Sequence, residues 1–138
     1  MASIPPPSTV KETSTAVTDV RSHLLAGGPY LHSVQKPNAI ETGKTARENH
    51  GLMKQLVPPG TKLPMLVDSR KVGSIDKEAK EVYASETGAF ATCVAIVGDN
   101  PVVTMMANVF LMLSNPKCPT KLFSNEEAAL KWLGEHRR

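Results

Sequence analysis

Lys62-Leu63-Pro64-Met65-Leu66-Val67-Asp68 is the stretch on which the fold turns. It is an apolar run of strand length, preceded by Pro58-Pro59-Gly60 and followed by Ser69-Arg70-Lys71, the pattern of a strand buried inside a sheet. Working outward, residues 76–87 set Ala79, Val82 and Tyr83 on one side of a helix. Residues 91–97 (ATCVAIV) then make a second, near-continuous apolar strand of the kind covered on both faces. Gly98-Asp99-Asn100-Pro101 opens another helix, with Pro101 suited to its first turn, and Pro116 stops it. Residues 119–123 read as a short strand, and a last helix starts at Ser124. There Ser124 and Glu127 form a capping box, Phe123 and Ala128 a hydrophobic staple, and Ala129, Trp132 and Leu133 the inward face.

Upstream of Lys62, Thr42 is a good helix cap, and Ala46, His50, Met53 and Leu56-Val57 recur at helical spacing until the two prolines. Before that helix, residues 10–25 are rich in Thr and Val with rough alternation. Ala26-Gly27-Gly28-Pro29 supplies a turn, and residues 30–34 alternate again, a β-hairpin signal. Residues 1–8, with Pro5-Pro6-Pro7 near their end, read as a flexible tail, leaving 9–138 as a single domain. Repeated strand–helix alternation implies parallel strands with right-handed crossovers. The expected architecture is α/β, a mixed sheet with a β-hairpin start and repeated βα units in the order ββαβαβαβα.

That order is the order of STAS domains, the fold of bacterial anti-anti-sigma factors, and the chain resembles them locally too. In those proteins the central strand runs into Asp-x-Ser-Gly-Val-x-x-Ile-Asp-Ser-x-Gly, where the Ser after the second Asp is the phosphorylation switch. Here Asp68-Ser69-Arg70-Lys71-Val72-Gly73-Ser74-Ile75-Asp76-Lys77-Glu78 keeps both aspartates, Val72 and Ile75 in register. Downstream, Asn108-Val109-Phe110-Leu111, residues 116–123 and residues 127–133 are similar to a bacterial family of uncharacterised STAS-like proteins. The detailed likeness spans 62–133. It implies a non-enzymatic interaction or regulatory module. The position matching the phosphoserine is Lys77, which cannot accept a phosphate by that chemistry.

Composition excludes several other classes. A net charge of +3, with basic residues spread along the chain and few aromatic rings, offers no nucleic-acid footprint. The longest apolar run, near residues 105–113, falls far short of the ~20 residues that cross a bilayer. The amino terminus lacks the basic and apolar segments of a secretory signal, so a cytoplasmic location is expected. Cys93 and Cys118 fit neither a disulfide scaffold nor a metal spacing, and they read as reduced thiols, Cys93 in the core.

Candidate chemistry is sparse. Thr42-Gly43-Lys44-Thr45 ends like a phosphate-binding loop, but Asn38 stands where that loop needs Gly, so a capped helix start is expected. His23, His32, His50 and His136 lie in different elements without partners at ligand spacing, and neither a metal nor a cofactor is assigned. His50 is expected as a hydrogen-bonded structural histidine, and His136 as a complement to a helix dipole. No nucleophile–base arrangement anchors a catalytic site. A possible ligand edge is formed by Asp68, at the carboxyl end of a central parallel strand, with Asp99 and Asn100 after the next strand.

Most informative is the helix at 101–113, in which ten of thirteen residues are apolar. A helix lying on a sheet needs one apolar stripe, here Val102, Val103, Met106, Val109, Phe110 and Leu113. Met105, Asn108 and Met112 fall beside it and Leu111 further out, an expected interaction surface for a protein partner or a second copy. The alternative is a carrier whose apolar helix lines a pocket for a small apolar ligand or lipid.

Overall fold

The computed structural model describes residues 12–17, 21–26, 30–57, 60–71, 73–98 and 118–136. Three strands lead: β1 (Glu12–Val17), β2 (Arg21–Ala26) and β3 (Tyr30–Gln35). A two-residue strand, β4 (Ile40–Glu41), precedes helix α1 (Gly43–Leu56). Then come β5 (Leu63–Asp68), a second two-residue strand β6 (Ser74–Ile75), and α2 (Lys77–Glu86), which runs into a 3-10 turn at Thr87–Ala89. Strands β7 (Ala91–Val97) and β8 (Thr120–Phe123) and helix α3 (Glu126–His136) complete the described chain.

The main sheet has the order β1-β2-β3-β5-β7-β8. β1, β2 and β3 pair antiparallel, whereas β3–β5, β5–β7 and β7–β8 pair parallel. The sheet is therefore mixed, with an antiparallel flank and βα units following it. At the front it differs in detail from the expectation, because the run at 10–25 comprises two strands and not one. The connecting residues Thr18-Asp19-Val20 contain neither Gly nor Pro, so the alternating pattern carries no strong punctuation there.

The central strands are covered on both faces. On one, Ala129, Leu130 and Leu133 of α3 pack on Tyr30, Leu66, Cys93, Ala95 and Val97. On the other, Met53 and Val57 from α1 and its end meet Leu31, Met65, Phe90 and Val94. The apolar character of ATCVAIV follows from this double coverage. Helices α1 and α2 approach through the small, fully buried Ala46 and Ala79, with Val82 beside them.

Local capping explains the helix starts. At α1, the Thr45 amide donates to Thr42 Oγ1 at 3.3 Å, and the Thr42 amide donates to Thr45 Oγ1 at 2.8 Å. This reciprocal pair accounts for Thr42-Gly43-Lys44-Thr45 as helix-initiating chemistry. At α3 the cap is Asn125, whose Oδ1 accepts from the Ala128 amide at 2.8 Å, one residue later than the Ser124 expectation. Asn and Ser cap equally well, so their adjacency left the choice to the path of the chain out of β8. His136 Nδ1 lies 2.9 Å from the Trp132 carbonyl in the last turn of α3.

Candidate functional site

The segment between β5 and α2 carries the motif, and its geometry is built from backbone pairing. β6 runs parallel to β4 as a separate two-stranded sheet, with Ile40 opposite Ser74 and Glu41 opposite Ile75. The Asn38 amide donates to the Lys71 carbonyl, Ser74 to Ala39 and Asp76 to Glu41, each at 3.0 Å. Gly73 is required in this crossing, because a Cβ there would lie 2.6 Å from the Ala39 oxygen and the Asn38 carbonyl group. Asn38 adopts a φ of 58°, a left-handed conformation that Asn tolerates.

Asp76 ends the ribbon and caps α2, its Oδ1 accepting from the Ala79 amide at 2.7 Å. Lys77 is the first helical residue, its side chain 82% exposed and its Nζ 4.0 Å from Glu81. Ser74 is exposed on β6, and Ser69 is buried with its amide donating to the Val97 carbonyl.

Asp68 stands at the carboxyl end of β5, in the middle of the sheet, and is held by Arg70. Nε donates to Oδ1 at 3.0 Å, Nη2 donates to Oδ2 at 2.6 Å, and the Arg70 amide donates to Oδ1 at 3.1 Å. Burial alone would raise the Asp68 carboxyl, but the bonds from Arg70 outweigh it and hold the carboxyl below its ordinary value. His32, on the neighbouring strand β3, has its Nε2 buried without a hydrogen-bond partner among the described residues. Burial lowers the imidazole, Asp68 pulls it up, and Arg70 pushes it down. The sequence reading put Asp68 at the carboxyl end of a central parallel strand, where it stands. It missed His32 and Arg70 as its neighbours, although the Asp-x-Arg spacing was a local signal for the Arg70 clasp.

A second polar cluster, which the sequence reading missed, lies under β4 and between α1 and α2. Glu41 is 1% exposed, and its carboxylate accepts from Gln35 Nε2 and from the Tyr83 hydroxyl. Asn49 Nδ2 donates to the same hydroxyl at 3.0 Å. Beside it the Thr87 hydroxyl donates to the Tyr83 carbonyl at 2.5 Å, while His50 Nε2 lies 3.0 Å from Thr87 Oγ1. Since the hydroxyl proton is committed to Tyr83, Nε2 of His50 is the donor in that bond. His50 also meets the Tyr83 and Phe90 rings edge-on, each at 5.2 Å between centroids. It is the structural histidine its helical position implied.

Cys93 and Cys118 are both buried free thiols, each raised by burial. Asp99 and Asn100, with Met105, Asn108, Leu111 and Met112, lie outside the described residues, so the structure unites none of them with Asp68 or Lys77. Among the described residues no helix is long and apolar enough to cross a membrane, and no group of three His, Cys, Asp or Glu side chains could hold a metal ion.

A family model described as a domain of unknown function, DUF7793, matches residues 24–137. The chain belongs to this family. No curated protein matches the DUF7793 chain. Among solved structures it is similar to an uncharacterised protein of the DUF3478 family, with a SpoIIAA-like fold, from Shewanella loihica PV-4. The TM-score is 0.53 at 16% identity, covering 96% of this chain and 98% of that chain. At that identity the likeness concerns the fold, and the fold is the STAS-like one that the element order and the motif at 68–78 implied.

Proposed function

We propose that this protein is a non-enzymatic regulatory module of the STAS type that works through protein–protein contacts and without a phosphoserine switch. The observation that supports this reading is the start of α2. Asp76 caps the helix as a motif aspartate should, and the next position presents an exposed lysine. A lysine here adds positive charge at the positive end of the helix dipole, a placement that local stability disfavours. The partner-facing surface is assigned, on helical spacing alone, to Met105, Asn108, Leu111 and Met112, with a second copy as the nearest occupant.

Phosphopeptide mapping of the protein from its source cells tests the missing switch. No stoichiometric phosphate is expected on Ser69 or Ser74, and finding it on either would overturn that part. Light scattering tests the surface. The wild type is expected as a dimer and the Met105→Lys/Met112→Lys variant as a folded monomer. A wild type that stays monomeric at high concentration, or a variant that unfolds, refutes the assignment. Native mass spectrometry that found a co-purified apolar ligand would favour the carrier instead.

A further inference from the structure

The β4–β6 ribbon leaves a bulky apolar side chain in water. Ile40 is 67% exposed, the largest exposure of a bulky apolar side chain among residues 30–57, 60–71, 73–98 and 118–136, while Glu41 beside it is buried. On a strand with one face packed, the apolar residue belongs inside. The bonds that join β4 to β6 use the carbonyls of Ala39 and Glu41. By strand alternation the peptide groups of Ile40 point to the opposite edge. Lysines flank both ends: Lys36, whose carbonyl accepts from Ala39, and Lys71, whose carbonyl accepts from Asn38, at one end, Lys44 and Lys77 at the other.

The carboxylates of this region are committed elsewhere. Asp68 is clasped by Arg70, Asp76 caps α2, Glu78 pairs with Arg47 at 2.5 Å, and Glu41 is buried. Lys36, Lys44 and Lys71 make no ion pair among the described residues. Lysines without an ion-pair partner among the described residues thus stand at both ends of a ribbon that carries an exposed apolar side chain and a strand edge. From this we infer that the ribbon docks an extended acidic segment of a protein partner, an apolar residue against Ile40 and carboxylates toward the lysines. Residues 36–44 and 71–77 hold no aromatic ring on which a base could stack, and one isoleucine is too little apolar surface for a membrane. The inference rests on the interaction-module reading but uses a different surface from Met105 and Met112, so the two fail separately.

The probe is a capped peptide, Glu-Asp-Val-Glu-Asp, followed by amide chemical-shift mapping of the whole chain at low and at physiological salt. Shifts are expected to concentrate in residues 36–44 and 71–77, with binding weakened severalfold by the added salt. Lys71→Glu and Ile40→Ser should each weaken binding about tenfold or more, with wild-type melting temperatures, since both side chains are exposed. The Lys-Lys-Val-Lys-Lys peptide should not bind. The idea is overturned if the acidic peptide produces no shifts at millimolar concentration, if shifts centre elsewhere, or if both variants bind it as the wild type does. It is overturned equally if an oligouridylate or anionic vesicles compete as effectively as the peptide.

Discussion

Replacing Tyr83 by Phe deletes one oxygen, and the structure says what that oxygen does. Its hydroxyl donates to the carboxylate of Glu41, which is 1% exposed, and accepts from Asn49 Nδ2 at 3.0 Å. A hydrogen bond to a charged group contributes about 1.5–3 kcal/mol, and a neutral one about 1 kcal/mol. Little compensating water can enter beside a fully buried Asn49 and a buried Glu41. Tyr83→Phe should therefore destabilise the domain by about 2–4 kcal/mol, without a cavity or a change of ring packing. In a domain of this size that lowers the melting temperature by about 6–12 °C. Urea denaturation followed by circular dichroism reads it as a shift in midpoint at constant slope. A double-mutant cycle with Glu41→Leu sharpens the test. Once the carboxylate is gone the hydroxyl has lost its main acceptor, so the double variant should lie well above the sum of the singles. A Tyr83→Phe effect below about 0.5 kcal/mol, or strict additivity, would refute the coupling.

Gly73→Ala places a Cβ 2.6 Å from backbone atoms of Asn38 and Ala39, which cannot swing aside as a side-chain tip can. A loss of more than about 1 kcal/mol is expected by denaturation, with hydrogen-exchange protection falling first at the Ser74 and Asp76 amides; unchanged protection would contradict the close crossing. For pH, burial lowers the His32 imidazole from 6.5 in the folded state, so the unfolded chain takes up the proton first. Stability is full above pH 6.5 and declines as pH falls from there toward the lowered value, and His32→Leu should flatten that part of the profile. The Asp68 carboxyl, held below 3.8 chiefly by Arg70 against its own burial, gives stability that is present above pH 3.8 and lost only below it. A profile that is level between pH 7 and 5, or unaltered by the substitution, would show that His32 is not desolvated.

The sequence alone determined the βα units at 63–86 and 120–136 and the starts of the first two helices. Those features are local: ATCVAIV is continuous because both faces are covered, and Thr42 and Asp76 cap through atoms only three residues away. The motif at 68–78 was legible for the same reason, its aspartates occupying a strand end and a helix cap that adjacent residues define. Only the tertiary structure decided the rest. Asp68 and Arg70 are two apart, but His32 reaches them because β3 pairs with β5 across a helix. Glu41, Asn49 and Tyr83 meet because three elements converge, and no periodicity records that convergence. The reversal at Ile40-Glu41 is the clearest case. Patterning favours an isoleucine inside and a glutamate outside, yet the pairing of β4 with β6 sets the opposite register. A hydroxyl from α2 and an amide from β3 then satisfy the buried carboxylate. Burial of a charge is tolerated where donors are already in place, and only the assembled fold supplies them.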